Sequence, residues 1–169
     1  SYPRFKSYQA TAVFKNIEEG IQYKGGFSMM GSQILSSSLE ERYTTITVKD
    51  NDKYNFKISS SRFILSDSLI TSDRTSFVAY IGNDSISHPA VKLTYNLNKK
   101  ILRLNKLDGG GFKDTPFSDT YHQMDIRCDA VRWDLQQQKI DFYIVSGKGV
   151  VPAVFESFNF FNPRRITDL

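Results

Sequence analysis

Apolar and polar residues alternate along much of the chain. In Val91-Lys92-Leu93-Thr94-Tyr95-Asn96-Leu97-Asn98 the alternation runs without a miss, which is the two-residue period of a strand with one face buried. Residues 8–14, 44–48, 54–58, 77–81, 101–104, 124–133, 140–145 and 153–160 read as further strands. Turn formers separate them: Asp50-Asn51-Asp52, Gly82-Asn83-Asp84, Asn98-Lys99-Lys100, Gly109-Gly110-Gly111 and Gln136-Gln137-Gln138. Within 124–133 the apolar positions change parity, from Met124, Ile126 and Cys128 to Val131 and Trp133, continued by Leu135. That change near Ala130 predicts a bulge or corner where the strand passes from one sheet to another. A single helical turn over 36–42 is the best helix the chain offers.

Composition agrees with the pattern. Val, Ile, Thr, Phe, Tyr and Trp number 56, against 25 for Ala, Leu, Met and Glu together, a balance suited to pleated, half-buried surfaces. The 169 residues suffice for one domain that buries about 70% of its unfolded surface. The fold expected is all-β, either an antiparallel two-sheet sandwich or jellyroll or a short antiparallel β-solenoid, as one domain over 1–169. The chain opens Ser1-Tyr2-Pro3 without Met or signal peptide, so it reads as a piece of a larger protein. Strand content should lie well above the usual 20–25%.

The solenoid alternative rests on weak repetition. Ser32-Gln33-Ile34-Leu35-Ser36-Ser37, Asp67-Ser68-Leu69-Ile70-Thr71-Ser72 and Asp84-Ser85-Ile86-Ser87-His88 each lead into a strand. Ala90-Val91-Lys92-Leu93 through Ile101 is echoed by Ala130-Val131-Arg132-Trp133 through Ile140, at a spacing of 40 falling to 39. Stacked units of this kind each bury an apolar face against the next.

Charge and cysteine narrow the chemistry. A net charge of +4 and a pI near 9.1 are a mild excess and do not imply nucleic acid. The best basic cluster, Lys99, Lys100, Arg103 and Lys106, reads as a solvated hairpin face. No apolar stretch reaches the roughly 20 residues that cross a bilayer. Cys128 is the only cysteine, which excludes an intrachain disulfide and a Cys-based zinc site. Its parity makes it a small core hydrophobe. No cofactor or metal is expected: Asp50-Asn51-Asp52 lacks the glycine of a calcium loop, and Gly109-Gly110-Gly111 lacks the Lys of a phosphate loop.

The densest polar group is Asp114-Thr115-Pro116-Phe117-Ser118-Asp119-Thr120-Tyr121-His122-Gln123-Met124-Asp125. Asp119, His122 and Asp125 are the residue types of acid–base chemistry, with Tyr121 beside them. A helix would gather them on one face and a strand would scatter them. The favoured reading is a hydrogen-bonded loop leading into a strand. Trp133, with Tyr80, Tyr95 and Tyr143, is a candidate for stacking on a sugar ring. No Gly-x-Ser-x-Gly elbow exists, and no carboxylate pair can be nominated for glycoside cleavage. The last predicted strand is aromatic on both faces, with Phe158 and Phe160 on one and Phe155 and Phe161 on the other. Such a strand is either central in its own domain or an interface with a neighbour.

Tyr23-Lys24-Gly25-Gly26-Phe27-Ser28, Asp84-Ser85-Ile86-Ser87-His88-Pro89, Pro116-Phe117-Ser118-Asp119-Thr120-Tyr121-His122 and Phe155-Glu156-Ser157-Phe158-Asn159-Phe160-Phe161 together resemble a segment of large uncharacterised envelope and surface proteins of Bacteroidota. The strand rhythm is loosely similar to OstA-like β-jellyroll proteins. The resemblance implies a bacterial cell envelope, periplasmic or surface setting and carries no activity. The function expected is therefore a non-catalytic structural or binding module of a larger exported bacterial protein. Its partners would be neighbouring modules of the same polypeptide, with a glycan or another envelope protein as further candidates. The alternative is a fragment of a carbohydrate-active enzyme or a carbohydrate-binding module centred on Trp133 and the 119–125 loop.

Overall fold

The computed structural model describes residues 4–6, 12–15, 18–36, 43–50, 54–109, 111–146 and 149–158. All regular structure in them is antiparallel strand, which takes up 69% of these residues. In chain order the strands are β1 Arg4–Lys6, β2 Ala12–Phe14, β3 Ile21–Gly25, β4 Phe27–Met30, β5 Gln33–Ser36, β6 Thr44–Asp50, β7 Tyr54–Ser60 and β8 Ile64–Leu65. There follow β9 Leu69–Ile81, β10 Asp84–Asn96, β11 Ile101–Lys106, β12 Phe117–Asp119, β13 Met124–Arg127, β14 Ala130–Asp134, β15 Lys139–Ser146, β16 Gly149–Pro152 and β17 Val154–Ser157. Ser36 closes β5, while the remainder of the predicted helical turn lies outside the described residues.

Pairing arranges these strands in two rows. The first runs β2, β3, β6, β7, the second half of β9, the first half of β10, β12, β13 and β17. The second runs β1, β4, β5, β8, the first half of β9, the second half of β10, β11, β14, β15 and β16. Most segments therefore cross once from row to row. β3 does so at Gly26, and β13 at Cys128–Asp129, close to where the parity of apolar positions changes. Only β9 and β10 make the crossing as unbroken strands, with register shifts between His88 and Val91 and again between Val91 and Leu93. The array is not closed into a barrel. It is sandwich-like, and it is built by stacking hairpins along one axis.

The two rows face each other through their alternate residues. Phe56 of β7 lies 5.7 Å from Tyr95 of β10 and 5.7 Å from Trp133 of β14, so rings from the two rows meet in one core. Ile46, Ile58, Leu93, Leu102 and Leu104 fill the rest, and burying an aliphatic or aromatic side chain of this size is worth about 1.5–3 kcal/mol. The gap left between Phe77, Ile86, Leu104 and Phe142 amounts to about 10 Å³. At Gly25 the backbone passes so close to Thr44 that a Cβ would meet its hydroxyl at 2.4 Å, so only glycine fits there.

Of the two echoes in the sequence, one is structural. The turns after β10 and after β14 are alike: Lys99 N–H donates to Asn96 Oδ1 at 2.8 Å, and Gln137 N–H to Asp134 Oδ1 at 3.1 Å. Lys100 and Gln138 both take positive φ, 52° and 54°. Each turn also begins with a buried leucine whose N–H donates to the turn of the rung before, Leu97 to Ser68 O and Leu135 to Lys100 O. Asn96 answers to Asp134, which corrects the spacing to 38. The Ser-rich segments do not form turns ahead of strands: the first takes in β5, and the other two open β9 and β10.

Candidate functional site

Asp119 ends β12 and caps the turn that follows. Its Oδ1 accepts from the N–H groups of Tyr121 (3.0 Å) and His122 (3.2 Å), and its Oδ2 lies 2.7 Å from His122 Nδ1. The aspartate side chain is 4% exposed and the histidine 55%, so the carboxylate is held inside while the imidazole faces water. Tyr121 is exposed and sets its ring edge-on to His122 at 4.7 Å. Thr120 fastens the turn to β10: its hydroxyl accepts from Ser85 N–H at 2.8 Å. This is the hydrogen-bonded loop the sequence suggests, and a turn rather than a helix brings residues 119 and 122 together. Asp125 stands apart. It pairs across the strands with Ser118 and Glu156, on the face of β13 opposite to buried Ile126.

Trp133 is buried in the core against Phe56, not on a surface strip, and Tyr95 lies beneath the same ring cluster. Tyr80 is exposed on the other row and Tyr143 half-buried; Tyr143 pairs with Ala130 while Trp133 pairs with Ile140, which sets Tyr143 and Trp133 on opposite faces of their row. Cys128 is buried, and desolvation pushes its thiol up to about 12, as its parity predicts. His88 is buried as well. Its Nδ1 accepts from Ala90 N–H at 3.1 Å, which leaves Nε2–H to donate to the Thr115 carbonyl at 3.0 Å. Burial holds its pKa below the ordinary value. His88 therefore pins the 107–116 loop to the kink in β10 as a neutral imidazole.

Much exposed apolar surface lies at the two ends of the stack. At one end are Val13 and Phe14 of the outermost strand β2, with Met29 and Met30 of β4 one strand in from β1. At the other, all four residues of β16 and all four of β17 are exposed, including Val150 at 65% and Phe155 at 54%. Phe158 continues this surface, and Phe160 and Phe161 lie outside the described residues. Among the described residues β17 pairs with β13 alone. Sequence reasoning missed β16, although Gly149-Val150-Val151-Pro152 has the β-branched pair of a short edge strand.

Among the described residues no group of three or more His, Cys, Asp and Glu is placed to hold a metal ion, and no helix is long and apolar enough to cross a membrane. No protein-family model matches the chain, and neither the curated proteins nor the solved structures give a match.

Proposed function

We propose that the chain is a non-catalytic structural module that stacks end to end with neighbouring modules of like build in a larger exported bacterial protein. The observation that carries this reading is the apolar surface on the outermost strands at both ends of the stack. β1, β2, β16 and β17 each pair on one side only among the described residues, and an edge strand with its backbone groups open is a template for another strand. Two-row modules added in line would continue both rows and cover Val13, Phe14, Val150 and Phe155. The envelope or cell-surface setting rests on the resemblance to Bacteroidota proteins.

Joining two copies of the chain in tandem tests the reading. In a stacked array each interface adds to the stability of its neighbours, so the tandem should unfold in one transition, several degrees above the single chain. Val150→Lys with Val154→Lys in the leading copy should remove the increment. Two copies that melt at the temperature of one would sink the proposal.

A further inference from the structure

The bend that carries β9 and β10 between the rows has a concavity on its outer side. It measures about 590 Å³, within the range of small-molecule sites. Arg74, Thr75 and Ser76 of β9 line it together with Ser61, Tyr43 and Phe112. Bulged strands often re-aim side chains at binding sites, and here the register shift between His88 and Val91 lies against this cleft.

Arg74 is its most telling residue. The guanidinium carbon sits 5.1 Å over the centre of the Phe112 ring, and no carboxylate of the described residues pairs with it. Adjacent Asp73 reaches instead to Lys92, at 3.7 Å. An arginine stacked by one face keeps its planar fork of N–H donors free at the edge, a geometry that matches a carboxylate in two parallel hydrogen bonds. Its backbone is fixed from beneath. The hydroxyl oxygens of Ser60 and Ser72 lie 2.6 and 3.1 Å from the Arg74 carbonyl oxygen and 2.8 Å from each other, so they share their protons in one small network beneath it. Phe112 is fixed in turn through its loop, by the His88 to Thr115 hydrogen bond.

Around that fork the lining is mixed. Tyr43 is 59% exposed and offers a flat ring with a hydroxyl, while Ser61 and Ser76 add further hydroxyls on the walls. Flat apolar faces with interspersed hydroxyl donors suit a sugar ring, and the free guanidinium selects one that carries a carboxylate. We propose that this cleft binds an acidic saccharide of the uronate class, with the carboxylate on Arg74 and the ring against Tyr43 and Phe112. The site is independent of the stacking reading, since none of its residues lies on the outermost strands.

Saturation-transfer NMR against oligomers of galacturonate, mannuronate and glucuronate, with neutral galactose and glucose oligomers of the same length and inorganic phosphate alongside, decides the matter. At least one acidic oligomer should bind saturably and the neutral ones far more weakly. Arg74→Gln should weaken that binding on the order of tenfold or more, the loss of one charge-assisted pair, and Phe112→Ala should do likewise. Arg103→Gln, an exposed arginine of β11 outside the cleft lining, should leave it unchanged, and circular dichroism of each variant should match the parent. The proposal is overturned if no acidic oligomer binds, if neutral oligomers or phosphate bind as well as the acidic one, or if Arg74→Gln binds as the parent does.

Discussion

Asp119 shows how a residue suited to catalysis can be occupied by structure. Its two carboxylate oxygens serve two backbone N–H groups and one imidazole, so truncation removes the shared acceptor that holds the turn. Asp119→Ala should cost about 1–3 kcal/mol in a denaturant titration, and Asp119→Asn should recover much of it by keeping an acceptor for the N–H groups. His88 and Cys128 set the pH limits in opposite directions. The folded-state pKa of His88 lies below its ordinary 6.5, so the unfolded chain takes up a proton first as pH falls. That thiol, raised from 9.0 to about 12, stays protonated when the unfolded chain has already lost its proton. By linkage, thermal stability should hold between about pH 6.5 and 9 and decline on either side. His88→Asn should flatten the acid limb and Cys128→Ala the alkaline one.

The all-β class and the longer strands from β6 onward were legible in the sequence, because a period of two is a local signal, whereas β3, β4, β5, β8 and β12 are too short or too mixed in polarity to show it. The parity change around Ala130 marks a real crossing at Cys128–Asp129, and the Asn98-Lys99-Lys100 and Gln136-Gln137-Gln138 turn signals mark real turns. What failed was inference about which face is wet. Trp133 shares its parity with Val131 and Leu135, a cue for the core that its chemistry obscured. The 119–122 segment is the hydrogen-bonded loop its composition suggests, although which groups Asp119 would bond within it depends on the turn's geometry and not on periodicity. Nothing local links Tyr43, Arg74 and Phe112, since only the bend of β9 and β10 assembles them. The same bend predicts a gradient of protection. β6, β7, β9, β10 and β11 are paired on both sides and should exchange their amide hydrogens slowest, while β1, β2, β16 and β17 should exchange first. Equal protection at the ends and the middle would contradict this.

In the molecule as a whole, β1 and β2 lie at one end of the stack and β16 and β17 at the other, with every rung bonded chiefly to its neighbours. Backbone hydrogen bonds between rungs consequently run along the line from β1 and β2 to β16 and β17. A pull between those outermost strands meets the bonds of the outermost rung first and then those of the next, instead of loading a whole ladder in parallel. The chain would give way rung by rung, at low force and over a long extension, until it reached β9 and β10. Those two strands span both rows without a break, so they would be the last to part, and a polypeptide under tension would keep its bend after the Arg74 cleft, walled by Tyr43, Ser61 and Phe112, had already come apart.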